Sequence, residues 1–419
     1  MSRPFAVATA LLSFALLLGY GAPAQAERKD HVVQLSVPSA AHLGSYSGSA
    51  RFALGEVTDA TFAESDSHVG MGPQAIYEIV SEGSRAEATR KGVALALQQA
   101  GLLAATPGEA THTVDVTIRR YREQTHMTIG RFRLRAEIFL EFDFRKDGVS
   151  EGRVLASGNA QQYAQIAAKA KYAEVYQAAF NDAIHKAFNS KTLARIAGEG
   201  WKPVPGPAEW GRHKAVRIMK DEFYGPTDTI QAQAAQAAQA LSASGAVDAL
   251  WLPDFQLDAV TGKSNTPVSD LTFARALVPA LVREHLDAFF PGAFQTIQRQ
   301  APATAAPGLL VEGQLDNFRV GNWYAKSIIG FGAGKDKIEG DVVFKDAATG
   351  ATLFQYRALS SNWGAGWQAK QGSIRDMADQ LARDIAYFLV RTRTPNYQPP
   401  ADLEVLFDDS TYPVKQRKS

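Results

Sequence analysis

The stretch RFRLRAEIFLEFDFR, residues 131–145, decides the fold. Phe132, Leu134, Ala136, Ile138, Leu140, Phe142 and Phe144 share one parity, and Arg131, Arg133, Arg135, Glu137, Glu141, Asp143 and Arg145 share the other. Phe139 alone breaks the alternation. A period of two over this length predicts an antiparallel strand with one buried face and one wet face. Lys146-Asp147-Gly148 supplies a turn into a further strand from about Arg153 to Tyr163. Upstream, Val114, Val116 and Ile118 alternate with Asp115, Thr117 and Arg119, which predicts the hairpin partner on the other side. The arginines of the wet face, with Arg119 and Arg122 nearby, suit an anionic partner. A solvated ladder paired with Glu137, Glu141 and Asp143 explains them better.

Working outward, an earlier strand at about Ala50–Val57 and two helices complete a unit. Ser84-Arg85-Ala86-Glu87 is a capping box, and Gly101 stops the helix that follows it. A second helix, from about Ala173 to Ile196, carries Tyr176, Phe180, Ile184, Ala187 and Phe188 on one stripe. The same order of elements recurs downstream. It comprises a strand at Val247–Phe255, a helix from Ser269 with Pro279 inside it, strands around Leu309–Asp316, Lys337–Lys345 and Thr352–Leu359, and a helix opened by Ser373. The expected fold class is therefore α+β: two related β-α-β-β-β-α domains, each an antiparallel sheet with two helices packed on one face, read as an internal duplication. The boundaries run 27–197 for the first domain and 246–394 for the second. Residues 198–245 form a Pro/Gly linker and an Ala/Gln-rich helix, and residues 395–419 an extended or disordered tail. The proline-rich linker implies separate cores.

The chain's 419 residues fit two such domains. With Lys+Arg at 44 and Asp+Glu at 43, it offers no global attraction to nucleic acid or an anionic membrane. The absence of cysteine excludes disulfides, thiolate catalysis and Cys-ligated metal. Arg3 is followed by an apolar stretch from Phe5 to Leu18, and Ala24-Gln25-Ala26 precedes Glu27. That order is the pattern of a secretory signal peptide, residues 1–26, cleaved after Ala26. With no Cys at the cleavage point there is no lipid anchor, and no other stretch is long and apolar enough for a membrane span. The expected location is the periplasm, reached by the general secretory route.

Leu310-Val311-Glu312-Gly313, Ile329 to Lys335 (IGFGAGK) and Phe344 to Gly350 (FKDAATG) resemble the domain of unknown function 4410 family, exported bacterial proteins that include many envelope lipoproteins. The resemblance spans about Val247 to Arg391. The first half more loosely resembles small envelope lipoproteins that assist transporters. The resemblance implies a non-enzymatic envelope role and carries no catalytic residues with it.

No acid–base or nucleophile constellation assembles from the sequence. Gly330 to Lys335 lacks the spacing of a phosphate loop, and a strand follows it where a helix is needed. The eight histidines include no His-x-His and no i,i+4 pair, so neither a metal nor a cofactor is expected. His185 and His285 read as ordinary helical residues. The informative cluster is aromatic. Trp323, Tyr324 and Phe331 lie in one connection of the second meander, and Trp363 and Trp367 just after its last strand, all flanked by glycine. An antiparallel meander brings both segments to one end of the sheet. There the aromatics either contact a partner or plug the gap between sheet and helix. The expected function is a non-catalytic envelope protein that binds a protein partner, or a carrier or sensor of an apolar, lipid-like ligand. Neither the partner's identity nor the oligomeric state is legible.

Overall fold

The computed structural model describes residues 29–33, 43, 45–61, 68–71, 77–81, 83–128, 131–165, 169–198, 200–202, 216–218, 249–257, 268–319, 336–362, 374–393 and 397–406. Along the chain, β1 (Lys29–Val33), β2 (Ser45–Tyr46), β3 (Phe52–Asp59), β4 (His68–Met71) and β5 (Tyr77–Ser81) precede helix α1 (Arg85–Gln99). Three long strands follow: β6 (His112–Thr128), β7 (Arg131–Lys146) and β8 (Val149–Ala164). Helix α2 (Lys169–Phe188) and the short α3 (Lys191–Ala197) come next, then β9 (Trp201–Lys202) and β10 (Val216–Ile218). The second unit contains β11 (Ala249–Trp251), β12 (Gln256–Leu257), α4 (Val268–Phe289), β13 (Thr296–Gln298), β14 (Leu309–Arg319), β15 (Asp336–Asp346), β16 (Thr352–Asn362) and α5 (Ile374–Arg393). The last described strand is β17 (Leu403–Leu406).

The chain is α+β, and each unit contains a three-strand meander followed by a helix, although β4 and β5 stand between β3 and α1 in the first unit and β12 and β13 flank α4 in the second. The meanders β6-β7-β8 and β14-β15-β16 are antiparallel throughout. The sheets as a whole are mixed rather than purely antiparallel, because β3 pairs parallel to β6 and β11 parallel to β14. A helix between two strands of one sheet returns the chain to the same end, so the flanking strands run the same way. The predicted helix over 173–196 is two helices: Ser190 restarts the chain as the N-cap of α3, its hydroxyl accepting the N–H of Leu193.

The layering departs from the sequence expectation. The apolar parity of β7 enters a core with α1 and α2, as its pattern requires. Gly158 lets α2 lie flat over β8, since a Cβ there would sit 1.8 Å from the carbonyl oxygen of Ala179. The charged parity of β7 is not a solvated face. Arg135, Glu137 and Glu141 are buried, and Phe139 and Leu155 belong to the core built by α4, α5 and the second sheet. The order of layers is therefore helices, first sheet, α4 with α5, second sheet. Helices α4 and α5 face a sheet on each side, and two apolar cores form, the second of which takes Phe139 and Leu155 from the first sheet. Leu310, Glu312 and Arg357 lie on the far face of the second sheet, which carries ion pairs from Lys345 to Glu312 and from Arg357 to Glu339 and Asp341.

Within the predicted tail, residues 403–406 form a strand of the first sheet: β17 pairs in parallel with residues 153–156 of β8. No helix among the described residues is long and apolar enough to cross a membrane. The signal-like residues 1–26, most of the Pro/Gly linker and the Ala/Gln tract lie outside the described residues.

Candidate functional site

A β-bulge builds the densest cluster of ionisable groups among the described residues. Along β6, Ile118 pairs with Leu140, and the next paired residue, Arg120, faces Phe139. The extra residue shifts the alternation by one. Tyr121 then joins Val114, Val116 and Ile118 in the first core, while Arg119, Arg120 and Arg122 all emerge on the opposite face. Without the bulge, Arg120 would point into the apolar core.

Arg120 instead meets helices α4 and α5 and is 1% exposed. It donates from Nη1 and Nη2 to the two oxygens of Asp379 at 3.0 and 2.9 Å. It donates from Nε to Glu137 at 3.0 Å and from Nη1 to Glu284 at 3.1 Å. Arg122 holds Glu284 by a second fork at 3.1 and 3.0 Å, and Arg135 donates to Glu137. Three guanidinium groups thus face three carboxylates. The planar fork of arginine suits such bidentate contacts. Beside them, Arg119 and Arg153 share Glu141. The sheet contributes most of the positive charge, and α4 and α5 contribute Glu284 and Asp379.

His285 closes the cluster. Its Nε2 lies 3.0 Å from Asp379 Oδ1, and its ring stacks on Phe289 at 5.5 Å. Because a carboxylate can only accept, Nε2 carries the proton and the neutral ring leaves Nδ1 bare. Nδ1 has no hydrogen-bond partner among the described residues. Burial pushes the imidazole below its ordinary value, opposed by Asp379 and assisted by Arg120. Burial would raise Asp379, but Arg120 and His285 overcome it and hold the carboxyl well below the usual range. Burial likewise works against Glu137, and Arg135 with Arg120 outweighs it.

The shifts fix a pH response. A histidine depressed on folding contributes stability that is present above its ordinary pKa of 6.5 and declines as pH falls below it, because the unfolded chain takes up a proton first. Asp379 contributes stability present above its ordinary 3.8 and lost below it. Asp287, raised by burial despite Arg119 and Arg283, runs the other way, so acid relieves its cost. Stability is therefore expected to decline in two stages on acidification, the first beginning near pH 6.5 and the second below 4.5, where Glu137 and then Asp379 come into range. Urea titrations between pH 8 and 3 should show both stages, and His285→Gln should remove the first. An unchanged first stage in that variant would refute the assignment.

The sequence reading placed its site elsewhere. Trp323, Tyr324, Phe331, Trp363 and Trp367 all lie outside the described residues. The strand ends that flank them do share one end of the second sheet, where Lys337 pairs with both Arg319 and Ser361. Sequence reasoning missed Arg120, Glu284 and Asp379. The signals available were Tyr121, an aromatic in the polar parity of β6, and Phe139, an aromatic in the charged parity of β7.

Residues 271–366 match the family model of a domain of unknown function, DUF4410. No curated protein matches the chain. Among solved structures, the chain is similar to the PelC dodecamer from Paraburkholderia phytofirmans, at 14% identity and TM-score 0.24, over 35% of this chain and 90% of that one. It is also similar to a Xanthomonas campestris protein of the DUF330 family, at 11% identity and TM-score 0.27, over 39% and 95%.

Proposed function

We propose that the protein is an exported, non-catalytic envelope component that binds a protein partner. The observation that carries this reading is how the buried ionisable groups are used. Arg120, Glu137, Glu284, Asp379 and His285 bind one another inside the interface between a sheet and two helices, at 7% exposure or less. A catalytic acid or base needs reach to a substrate proton, and this arrangement gives the groups to assembly of the chain instead. The result is a layered body held together by buried charge, and a sheet edge is a surface on which proteins add strands.

The signal-like N-terminus supports delivery to the periplasm, with a mature chain starting at Glu27. The test is crosslinking in intact cells, followed by capture from the envelope fraction and N-terminal sequencing of the captured chain. A chain starting at Glu27 and crosslinked to a defined protein is the expected result. A chain that retains residues 1–26 or that crosslinks to no protein would overturn the proposal. Recovery with a stoichiometric lipid would favour the carrier reading instead.

A further inference from the structure

The outer edge of β8 is occupied by a segment that arrives from the far end of the chain. After α5 the tail first touches the second unit, where the Tyr397 hydroxyl donates to the Pro291 carbonyl at 2.9 Å and its ring packs edge-on against Phe290. Residues 399 and 400 are both proline, and the chain then crosses to the first sheet. There it is read residue by residue. Asp402 takes a fork from Arg153 at 2.8 and 3.2 Å, and its carbonyl accepts the Arg153 N–H at 2.9 Å. Leu403 is 5% exposed and lies in the core of the second unit. Glu404 accepts the backbone N–H groups of Lys191 and Thr192 at 3.0 and 2.7 Å. Val405 packs on the second core and Leu406 on the first.

These contacts are those of strand addition to a sheet edge. Backbone pairing gives affinity, and alternate side chains give specificity. The contacts along β17 select an acidic residue, an apolar one, a second acidic residue and two more apolar ones. We propose that the β8 edge at residues 153–156 is an acceptor site for an extended partner segment of this acidic–apolar chemistry, which the protein's own tail fills in cis. This rests on the reading of the chain as a partner-binding protein and names the site and the chemistry of the partner.

Tethering explains why the tail is the resident ligand. A short linker gives it an effective concentration of about millimolar, so a free competitor must bind far more tightly or meet the edge when the tail has opened. A strand of four residues, with an ion pair whose Asp402 is 57% exposed, belongs to the elements that open locally at low cost.

The experiment uses the full-length chain and a fluorescent peptide of residues 397–406. In the variant Asp402→Ala/Glu404→Ala the tail loses both acidic contacts, and the peptide should bind at least tenfold more tightly than to the wild-type chain. Adding Arg153→Glu to that variant should abolish binding, and a peptide with lysine in place of Asp402 should restore it. Equal binding by wild type and released variant, or binding indifferent to Arg153→Glu, would overturn the proposal. Should the released variant fail to fold, hydrogen exchange on the wild-type chain decides. Amides of 403–406 that exchange at least tenfold faster than those of β7 support a separable tail, whereas exchange only with global unfolding overturns it. Partner capture from the envelope together with a failed peptide arm would remove this site and leave the proposed function standing.

Discussion

Arg120→Met is expected to cost about 3–5 kcal/mol of folding free energy, because it strands buried carboxylates that the guanidinium now neutralises. The three acids would suffer unequally. Glu137 keeps Arg135 and Glu284 keeps Arg122, whereas Asp379 loses both of its fork bonds and keeps the contact with His285. Asp379 would lose the cation that most opposes its burial, and its pKa should rise. The double variant Arg120→Met/Asp379→Leu removes a buried charge of each sign. It should recover a large part of the loss, since an ion pair replaced as a whole by apolar groups is often neutral in stability. Urea unfolding of wild type, both single variants and the double variant measures the coupling. Additive losses would mean that the two residues do not act as a pair. Lys91→Ala is the control, because its pair with Glu87 lies on the open surface of α1 and should leave stability unchanged.

How much of this was legible follows from where each signal lives. The meanders were readable because β7 keeps a strict period of two for most of its length, and burial of one face leaves that pattern no other reading. The parallel first strands were implied by the helix after each of them, although the pattern of a short strand such as Ala249–Trp251 carries no direction of its own. The partner of the charged face was not readable. Alternating arginine and glutamate has the same pattern whether the face meets water or a second layer of opposite charge. Only Phe139 distinguished the two cases, since an aromatic has no reason to stand in a solvated ladder. Arg120 was hidden for a different reason. A bulge is a change of register between two strands, and neither strand records it alone. The C-terminal strand was masked by its prolines, which suggest an extended segment but not the edge it joins. The aromatic cluster at Trp323 and Trp363 belongs to connections outside the described residues, so its role rests on the sequence.

Phe139→Ala is expected to cost about 3–5 kcal/mol, the scale of a large-to-small change at a fully buried aromatic. What makes the site informative is the core it serves. The residue belongs to β7 by sequence but is buried at 0% exposure in the core of the second unit, with its ring edge-on to Phe289 at 4.8 Å. Its register partner is Arg120, so the ring and the guanidinium fill adjacent places on one face, and Arg120 lies 5.9 Å from the Phe289 ring as well. Removing the ring opens a cavity beside the ion network and lets water reach groups whose pairing depends on its exclusion. Phe142→Ala, one strand position beyond the neighbouring Glu141, truncates a residue of the first core instead. Both should lower stability, but only Phe139→Ala should loosen the contact between the sheet and α4. Hydrogen exchange would read this as faster exchange in α4 and α5 with β6 and β8 still protected. If both variants instead raised exchange uniformly through both units, the layers would unfold as one cooperative body, and Phe139 would be an ordinary core residue rather than the apolar anchor of the interface.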